Sequence, residues 1–218
     1  MKHLAISLAM ALFASAALAS GSGGGGGGMS SPQIQPRDPH EQAVAYYNSG
    51  ERQMEKATKA NADLKANTDA SKADGLKSRL NKSLENAAAD FNRAIKADPT
   101  LYQAYSELGF CLRKLGHFDE ALATYDKGLA IEPRWAPAIE YRGEALLGLG
   151  RIDDAKAAYT ALFEGDRARA DILFDAMKAY SADHKDDAAF AKWVDERSAI
   201  HAQTAASTQA SRDGIRSW

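Results

Sequence analysis

The sequence predicts an all-α fold built from antiparallel helix pairs, and three observations support this prediction. The segment ELGFCLRKLGHFDEALATYDKGLAIEPRW, which begins at Glu107, has a counterpart 34 residues later, YRGEALLGLGRIDDAKAAYTALF from Tyr141. Apolar residues recur every three or four positions in both segments, which is the spacing of one helix face. A glycine interrupts both segments at the same point, at Gly116 and at Gly150. Together these features indicate a repeated unit of two helices.

Particular residue types recur at fixed places in this unit, and each has a physical role. Gly109 allows the partner helix to approach closely, and Gly116 suits a turn with left-handed backbone conformation. Ala121 is small where two helices touch, and Pro133 ends the second helix because it cannot continue the hydrogen-bond ladder. The positions that match between the two copies are Leu112 with Leu146, Gly116 with Gly150, Ala121 with Ala155, and Tyr125 with Tyr159.

This pattern resembles the tetratricopeptide repeat (TPR), a 34-residue pair of antiparallel helices whose copies stack into a superhelix. The resemblance extends over roughly residues 40–163, with repeats at 102–135 and 136–165. The second of these repeats departs from the family pattern at two positions. Arg142 stands where leucine is usual, so we expect a more exposed helix face there. Arg167 stands where proline is usual, so we expect a less sharply defined helix end.

An earlier copy of the repeat is divided by an insertion. Its helices are predicted in EQAVAYYNSGERQMEKA and SLENAAADFNRAIKADPTL, where Gly50 corresponds to Gly109 and Ala87 to Ala121. Gly50 and Ala87 lie 37 positions apart, against 12 in the next copy, so about 25 residues are extra. Half of these on each helix would lengthen the hairpin by roughly 18 Å. The polar residues between Asn67 and Gly75 predict its tip.

Charged residues dominate the segment 51–86, which has eight Lys or Arg and six Asp or Glu. Pairs such as Glu55 with Lys59 have the spacing that supports an exposed helix. The segment is therefore predicted to be a solvated, self-supporting extended hairpin. The alternative is that this hairpin grips a partner protein.

The repeat pattern fades after Phe163, and the segment 166–203 is predicted to form a C-terminal helical cap. Two amphipathic helices are expected there, because the last unit of a repeat stack needs a cover for its apolar face. Trp193 is interpreted as a core residue of this cap rather than as a ligand-binding aromatic residue. The polar segment 204–218 is predicted to be a flexible tail.

The N-terminal sequence predicts export. Residues 1–19 have a positive start at Lys2, an apolar run and the small-residue pattern Ala17-Leu18-Ala19, which together indicate a signal peptide cleaved after Ala19. Residues 20–39, rich in Gly, Ser and Pro, are predicted to be a flexible linker. No later segment has the roughly 20 apolar residues of a membrane span. We therefore expect an exported protein, in the bacterial periplasm or alternatively secreted.

Composition and scattered reactive side chains argue against several functions. The formal net charge of -2 gives no indication of a nucleic-acid partner. Cys111 is the single cysteine, so neither an internal disulfide nor a cysteine-based zinc site is expected, and we predict that it is buried. The five histidines are scattered without metal-binding spacing. No catalytic, metal-binding or cofactor-binding residue is predicted, and we do not expect an enzyme.

The family resemblance implies a protein-binding role. First helices of such repeats line a concave groove that receives a peptide or helix from another protein. Position by position, this implies a set of candidate binding residues, which are Tyr47, Asn48, Glu51, Gln103, Ser106, Glu107, Phe110, Arg113, Glu140, Tyr141 and Glu144. Some relatives bind a C-terminal carboxylate with Lys, Asn and Arg, but Tyr47, Glu51 and Glu140 do not suit that mode. The groove suits a peptide with apolar anchors and some positive charge.

These expectations lead to one principal hypothesis and two alternatives. The principal hypothesis is an exported, non-enzymatic scaffold or adaptor that binds a protein or peptide in the bacterial cell envelope. The first alternative is an architectural envelope protein that self-associates through its exposed faces. The second is an accessory subunit of an enzyme.

Overall fold

The computed structural model of the chain describes residues 38–215, and the side chains of residues 38–203. The predicted signal peptide and all but the end of the predicted linker lie outside the described residues. All regular structure within them is α-helical, which confirms the predicted all-α fold. The eight helices are α1 (Pro39–Ala66), α2 (Ala70–Ala97), α3 (Tyr102–Lys114), α4 (Phe118–Ile131), α5 (Ala136–Gly148), α6 (Ile152–Gly165), α7 (Arg167–Asp183) and α8 (Ala188–Ile215).

The helices pack as consecutive pairs, with α1 on α2, α3 on α4, and α5 on α6. The short connections within each pair bring neighbouring helices together in antiparallel orientation. Helix α3 also contacts α5, and α5 contacts α7, so the first helices of successive units are neighbours. This arrangement brings residues from three units onto one surface.

The turn within each TPR-like unit has the predicted left-handed glycine. Gly116 has a φ of 88° and Gly150 a φ of 69°. After each glycine the next amide nitrogen donates back into the first helix, from His117 to the Leu112 carbonyl and from Arg151 to the Leu146 carbonyl, both at 2.9 Å. This is the hydrogen-bond pattern of a Schellman motif, in which glycine adopts a conformation that other residues disfavour.

Close helix contact follows from the small residues at the predicted positions. A Cβ atom on Gly109 would lie 2.5 Å from the Tyr125 ring, and one on Gly50 would lie 2.6 Å from the Phe91 ring. Ala121 is fully buried. Helix α4 ends at Ile131, two residues before Pro133. The structure therefore confirms these packing roles.

The predicted extended hairpin consists of α1 and α2, each 28 residues long, against 13 residues for α3 and 14 for α4. When Gly50 is aligned with Gly109, α1 continues about 11 residues beyond the position of the last residue of α3, or about 17 Å. The tip lies at residues 67–69. There Asn67 Nδ2 donates to the Asp69 carbonyl at 2.7 Å, and Asp69 caps α2 by accepting from the Ser71 amide at 3.0 Å.

The two departures from the family pattern have different outcomes. Arg142 is partly exposed as expected, and its Nε donates to Asp126 Oδ1 at 2.7 Å. The prediction of a poorly defined helix end near Arg167 is wrong. Asp166 alone separates α6 from α7, and it caps α7 by accepting from the Arg169 amide at 3.1 Å. Helix α7 therefore begins at the position of the missing proline, three residues earlier in the repeat than α5.

The C-terminal helices cover the last unit with aromatic side chains. The Trp193 ring lies 5.5 Å from that of Tyr159, and Tyr159 Oη lies within hydrogen-bond distance, 2.8 Å, of His201 Nε2. Trp193 thus packs against the core, as predicted. Helix α8 continues to Ile215, so the predicted tail boundary after residue 203 is not a helix end.

Other features of the described residues bear on possible chemistry. Cys111 is buried, as predicted, and its sulfur lies 3.5 Å from that of Met54. Within residues 38–203, the His, Cys, Asp and Glu side chains form no group of three that could hold a metal ion. In the same part of the chain, no helix combines the length and the apolar composition that crossing a bilayer requires.

Candidate functional site

The predicted binding residues lie on α1, α3 and α5. We call the surface that they form, together with Arg169 of α7, the first-helix surface. Helix α1 contributes Tyr47, Asn48 and Glu51, α3 contributes Gln103, Ser106, Glu107, Phe110 and Arg113, and α5 contributes Glu140, Tyr141 and Glu144. The contacts of α3 with α5 and of α5 with α7 bring these three helices side by side, and α1 meets α3 where Met54 Sδ lies 3.5 Å from Cys111 Sγ.

Two aromatic rings meet at the centre of the first-helix surface. Phe110 of α3 and Tyr141 of α5 pack edge to face, with ring centroids 5.1 Å apart. The Arg113 guanidinium lies 5.2 Å from the centroid of Phe110 and 5.6 Å from that of Tyr141. Cations at such distances are attracted to the ring faces. Both rings remain partly exposed, so they present an apolar contact area to a partner.

Two ion pairs join the helices beneath these rings. Arg113 of α3 pairs with Glu144 of α5, and Arg169 of α7 pairs with Glu140 of α5 at 2.5 Å. The residues Arg113 and Glu140 are only 8% and 2% exposed. Loss of one partner from a buried pair leaves an uncompensated charge, which is strongly destabilising. These pairs therefore hold α3, α5 and α7 in a fixed relationship.

Arg169 is not among the binding residues predicted from the sequence, although a feature of the sequence indicates its position. It lies in the additional first turn that α7 gains by beginning at the position of the missing proline. Its guanidinium lies 5.8 Å from the centroid of the Tyr141 ring as well as against Glu140. The absence of proline at residue 167, together with Asp166 as a helix cap, is the feature that indicates this extra turn.

Charges from α1 and α3 influence one another on this surface. Burial and the neighbouring Glu51 charge raise the pKa of Glu107 to about 8, while Arg169 acts in the opposite direction. Burial, followed by the charges of Glu107 and Glu51, raises the pKa of Tyr47. Burial and the Glu107 charge raise the pKa of Tyr141 to about 12. Burial is thus the largest cause of all three shifts, and the Glu107 charge adds to the shift of both tyrosines.

Three predicted binding residues are too buried to offer much contact to a partner. Ser106 is 1% exposed, and Glu140 and Arg113 are nearly as covered. They form the floor of the first-helix surface, whereas Asn48 is exposed and the remaining predicted residues are partly exposed. Gln103 Oε1, Ser106 Oγ and Arg113 Nε are buried without a hydrogen-bond partner among the described residues. Buried polar atoms are seldom left unpaired in native proteins.

Comparison with known proteins identifies the repeat that carries most of this surface. The family model of the tetratricopeptide repeat matches residues 102–134, which include α3 and α4. Residues 102–134 are thus a tetratricopeptide repeat. The TPR match contains Gln103, Ser106, Glu107, Phe110 and Arg113, the five candidate residues on α3.

A solved structure is also similar to this chain. It is the TPR domain of Arabidopsis OM64, with a TM-score of 0.41 and 22% sequence identity, and the match covers 59% of this chain and 93% of that one. A comparison with curated protein sequences gives no match.

The TPR unit at 102–134 is repeated structurally by α5 and α6. Gly150 and the Arg151-to-Leu146 hydrogen bond reproduce the turn at Gly116. The fold is thus a TPR-like stack of helix pairs with an extended first hairpin. A repeat of this family is a protein-interaction scaffold, and its first helices carry the surface described above.

Proposed function

We propose that this chain is a non-enzymatic adaptor that binds a segment of another protein on its first-helix surface. The observation that carries the proposal is the contact of Phe110 with Tyr141 across two adjacent helices, surrounded by charged side chains. Partly exposed rings provide apolar contact area, and the charges near them provide specificity. A peptide or helix that carries an apolar anchor fits this combination.

The framework under the rings supports this proposal. The pairs Arg113 with Glu144 and Arg169 with Glu140 link three successive first helices. A surface that is already ordered loses less conformational entropy when a partner binds. The first-helix surface is therefore suited to binding without rearrangement of its own backbone.

The proposed place of action is the bacterial cell envelope. The proposal rests on the sequence of residues 1–19, in which a positive start, an apolar run and small residues before position 20 indicate a cleaved signal peptide. Periplasmic residence is proposed first and secretion second. Cell fractionation combined with N-terminal sequencing tests this, and a cytoplasmic chain that retains Met1 and Lys2 would contradict it.

Affinity capture tests the binding surface. Tagged protein, produced from residue 20 onward, is compared with a triple variant, Tyr47→Ala, Phe110→Ala and Tyr141→Ala. We expect partners identified by mass spectrometry to be retained by the unaltered protein and lost from the triple variant. Circular dichroism must show that the variant retains its helices.

A matched control substitutes an aromatic residue on another face of α1. Tyr46 lies near Arg93 of α2, whose guanidinium carbon is 6.0 Å from the ring centroid, and Tyr46→Ala should leave capture unchanged. Retention of every partner by the triple variant would show that the surface is assigned wrongly. Light scattering at high concentration should show a monomer, whereas a stable oligomer would favour the architectural alternative.

A further inference from the structure

We infer that the extended hairpin carries a binding site for a phosphate group, in a groove between α1 and α2. We call it the hairpin groove, and it is lined by Lys56, Lys59, Ala60 and Asp63 of α1 and by Arg79 and Ser83 of α2. Its volume is about 230 Å³. The inference goes beyond the proposed function, because none of these residues belongs to the first-helix surface.

The spacing of the lining residues explains why a groove forms there. Lys56, Lys59 and Asp63 share one face of α1, because residues three, four and seven positions apart lie on the same side of a helix. The floor consists of two short side chains, Ala60 of α1 and Ser83 of α2, which are only 1% and 7% exposed. Long charged side chains therefore surround a space that the short ones leave open between the two helices.

The cations of the hairpin groove lack carboxylate partners. Lys59 and Arg79 make no ion pair or hydrogen bond with the residues that the structure describes, although Asp63 lies one helical turn from Lys59. Lys56 contacts only the Gln53 side-chain oxygen in that part of the chain, at 3.3 Å. Like charges that line one groove repel each other, so a bound anion would stabilise their arrangement.

The charge of the lining favours a phosphate group over a carboxylate. Three cationic side chains and the Asp63 carboxylate give the hairpin groove a net formal charge of +2. A phosphate monoester carries a charge of about −1.5 to −2 near neutral pH, whereas a carboxylate carries a single negative charge. The Arg79 guanidinium can donate two parallel hydrogen bonds to phosphate oxygens, and the lysine ammonium groups act as point charges.

A second observation, on Ser83, points to a ligand in the same groove. Ser83 is more than nine-tenths buried and lines the groove, and its hydroxyl makes no hydrogen bond within the described residues. Helical serines can bond to the carbonyl four residues earlier, as Ser198 does to Val194 at 2.9 Å. The Ser83 hydroxyl makes no such bond, so it can donate to a phosphate oxygen in the groove.

Titration with a phosphate monoester, followed by nuclear magnetic resonance, tests the inference. Isotope-labelled protein produced from residue 20 onward is titrated with glycerol phosphate. We expect saturable shifts of the backbone amide signals of residues 56–63 and 79–83. Sodium chloride at equal ionic strength should not reproduce these shifts, because screening by salt acts on all exposed charges alike.

Variants of the lining distinguish a site from general attraction to a basic helix. Arg79→Gln and Lys59→Gln should each weaken binding about tenfold, because each removes a charge-assisted hydrogen bond. Asp63→Asn should tighten binding about threefold, because it removes a repulsive charge. Lys77→Gln and Asp74→Asn are the matched controls, since they change exposed residues of α2 outside the groove, and they should leave the affinity unchanged.

Vesicle flotation distinguishes two sources of the phosphate group. Binding to phosphatidylcholine vesicles that contain phosphatidic acid, with loss of binding in Arg79→Gln, would assign a lipid headgroup. Binding of glycerol phosphate without vesicle binding would assign a soluble phosphate ester. The inference is overturned if neither probe binds in a manner that depends on Arg79 and Lys59, or if Lys77→Gln weakens binding as much as Arg79→Gln. Either result would leave the proposed function standing.

Discussion

Gly143 of α5 lies directly against Leu173 of α7, because a Cβ atom on Gly143 would be 2.5 Å from Leu173 Cδ2. The corresponding glycine of the preceding unit, Gly109, lies against Tyr125 of its own second helix. The same position of the repeat therefore makes a different contact in each of the two units. Gly109 allows the two helices of one unit to approach closely, whereas Gly143 allows the first helices of successive units to do so.

Replacing either glycine by alanine should destabilise the fold. Gly143→Ala and Gly109→Ala each force a methyl group into a filled space, which should lower the free energy of unfolding by roughly 1 to 3 kcal/mol. Gly75→Ala is the matched control, because nothing lies within 4 Å of its Cβ position in α2. That change should raise the free energy of unfolding by about 0.5 to 1 kcal/mol. Urea unfolding followed by circular dichroism measures all three, and equal stability of Gly143→Ala and Gly75→Ala would contradict the contact.

Shortening the hairpin should leave partner binding unchanged. Deletion of residues 57–81 with Lys82→Gly restores the spacing of the TPR unit and supplies a glycine where Gly116 lies in the next turn. The variant should fold, because Leu84, Ala87 and Phe91 remain to pack α2 at its base. Affinity capture, carried out as for the triple variant, measures the effect. A loss of binding in a variant that keeps its helical circular dichroism would support the alternative in which the hairpin grips the partner.

Stability should fall as the pH rises through the titration of Glu107. Its pKa is about 8 in the folded chain, above the ordinary value for a glutamate, so the folded state binds this proton more tightly than the unfolded state. The resulting stability is fully present below about pH 4.5 and is lost as the pH rises through about 8. Glu107→Gln should remove this dependence and be more stable than the unaltered protein at pH 8, by roughly 1 to 3 kcal/mol.

Urea unfolding at pH 5, 6.5 and 8 measures this dependence. Glu85→Gln, which alters an exposed residue of α2, serves as the control and should follow the unaltered protein. The contribution of Glu140 to stability should also fall as the pH rises, because burial raises its pKa to about 7 despite Arg169. A Glu107→Gln variant that loses stability between pH 5 and 8 as steeply as the unaltered protein would show that Glu107 is not the responsible group.

The C-terminal cap should depend on the hydrogen bond between Tyr159 of α6 and His201 of α8. Tyr159→Phe removes the hydroxyl at 2.8 Å from His201 Nε2 and keeps the ring contacts, so it should lower the free energy of unfolding by about 1 kcal/mol. Amide hydrogen exchange in α8 should become faster. Tyr105→Phe is the control, because the Tyr105 hydroxyl donates to the Pro99 carbonyl at an exposed site, and its effect should be smaller. If Tyr159→Phe and Tyr105→Phe changed amide exchange in α8 equally, this would contradict the contact between Tyr159 and His201.

Much of the fold follows from features that are local in the sequence. The left-handed turns at Gly116 and Gly150 could be predicted because turn chemistry is a property of a few adjacent residues. The extended hairpin could be predicted from the spacing of Gly50 and Ala87, since helix length follows directly from residue number. The start of α7 could not be predicted from the repeat pattern, because Arg167 stands where proline is usual and the preceding Asp166 caps the helix.

The candidate site, like the fold, could be predicted from the sequence only in part. The sequence predicted that Phe110 and Tyr141 share a surface, because Tyr141 is equivalent to Glu107, which lies one helical turn before Phe110. Equivalent positions of stacked repeats face the same side. Only the tertiary structure decided that Arg169 reaches Glu140, and that Ser106 is covered. It also decided that the charge of Glu51, which is 56 residues from Glu107 in the chain, raises the pKa of Glu107. Charge and burial depend on every neighbour in space, and the spacing of residues along one helix does not specify those neighbours.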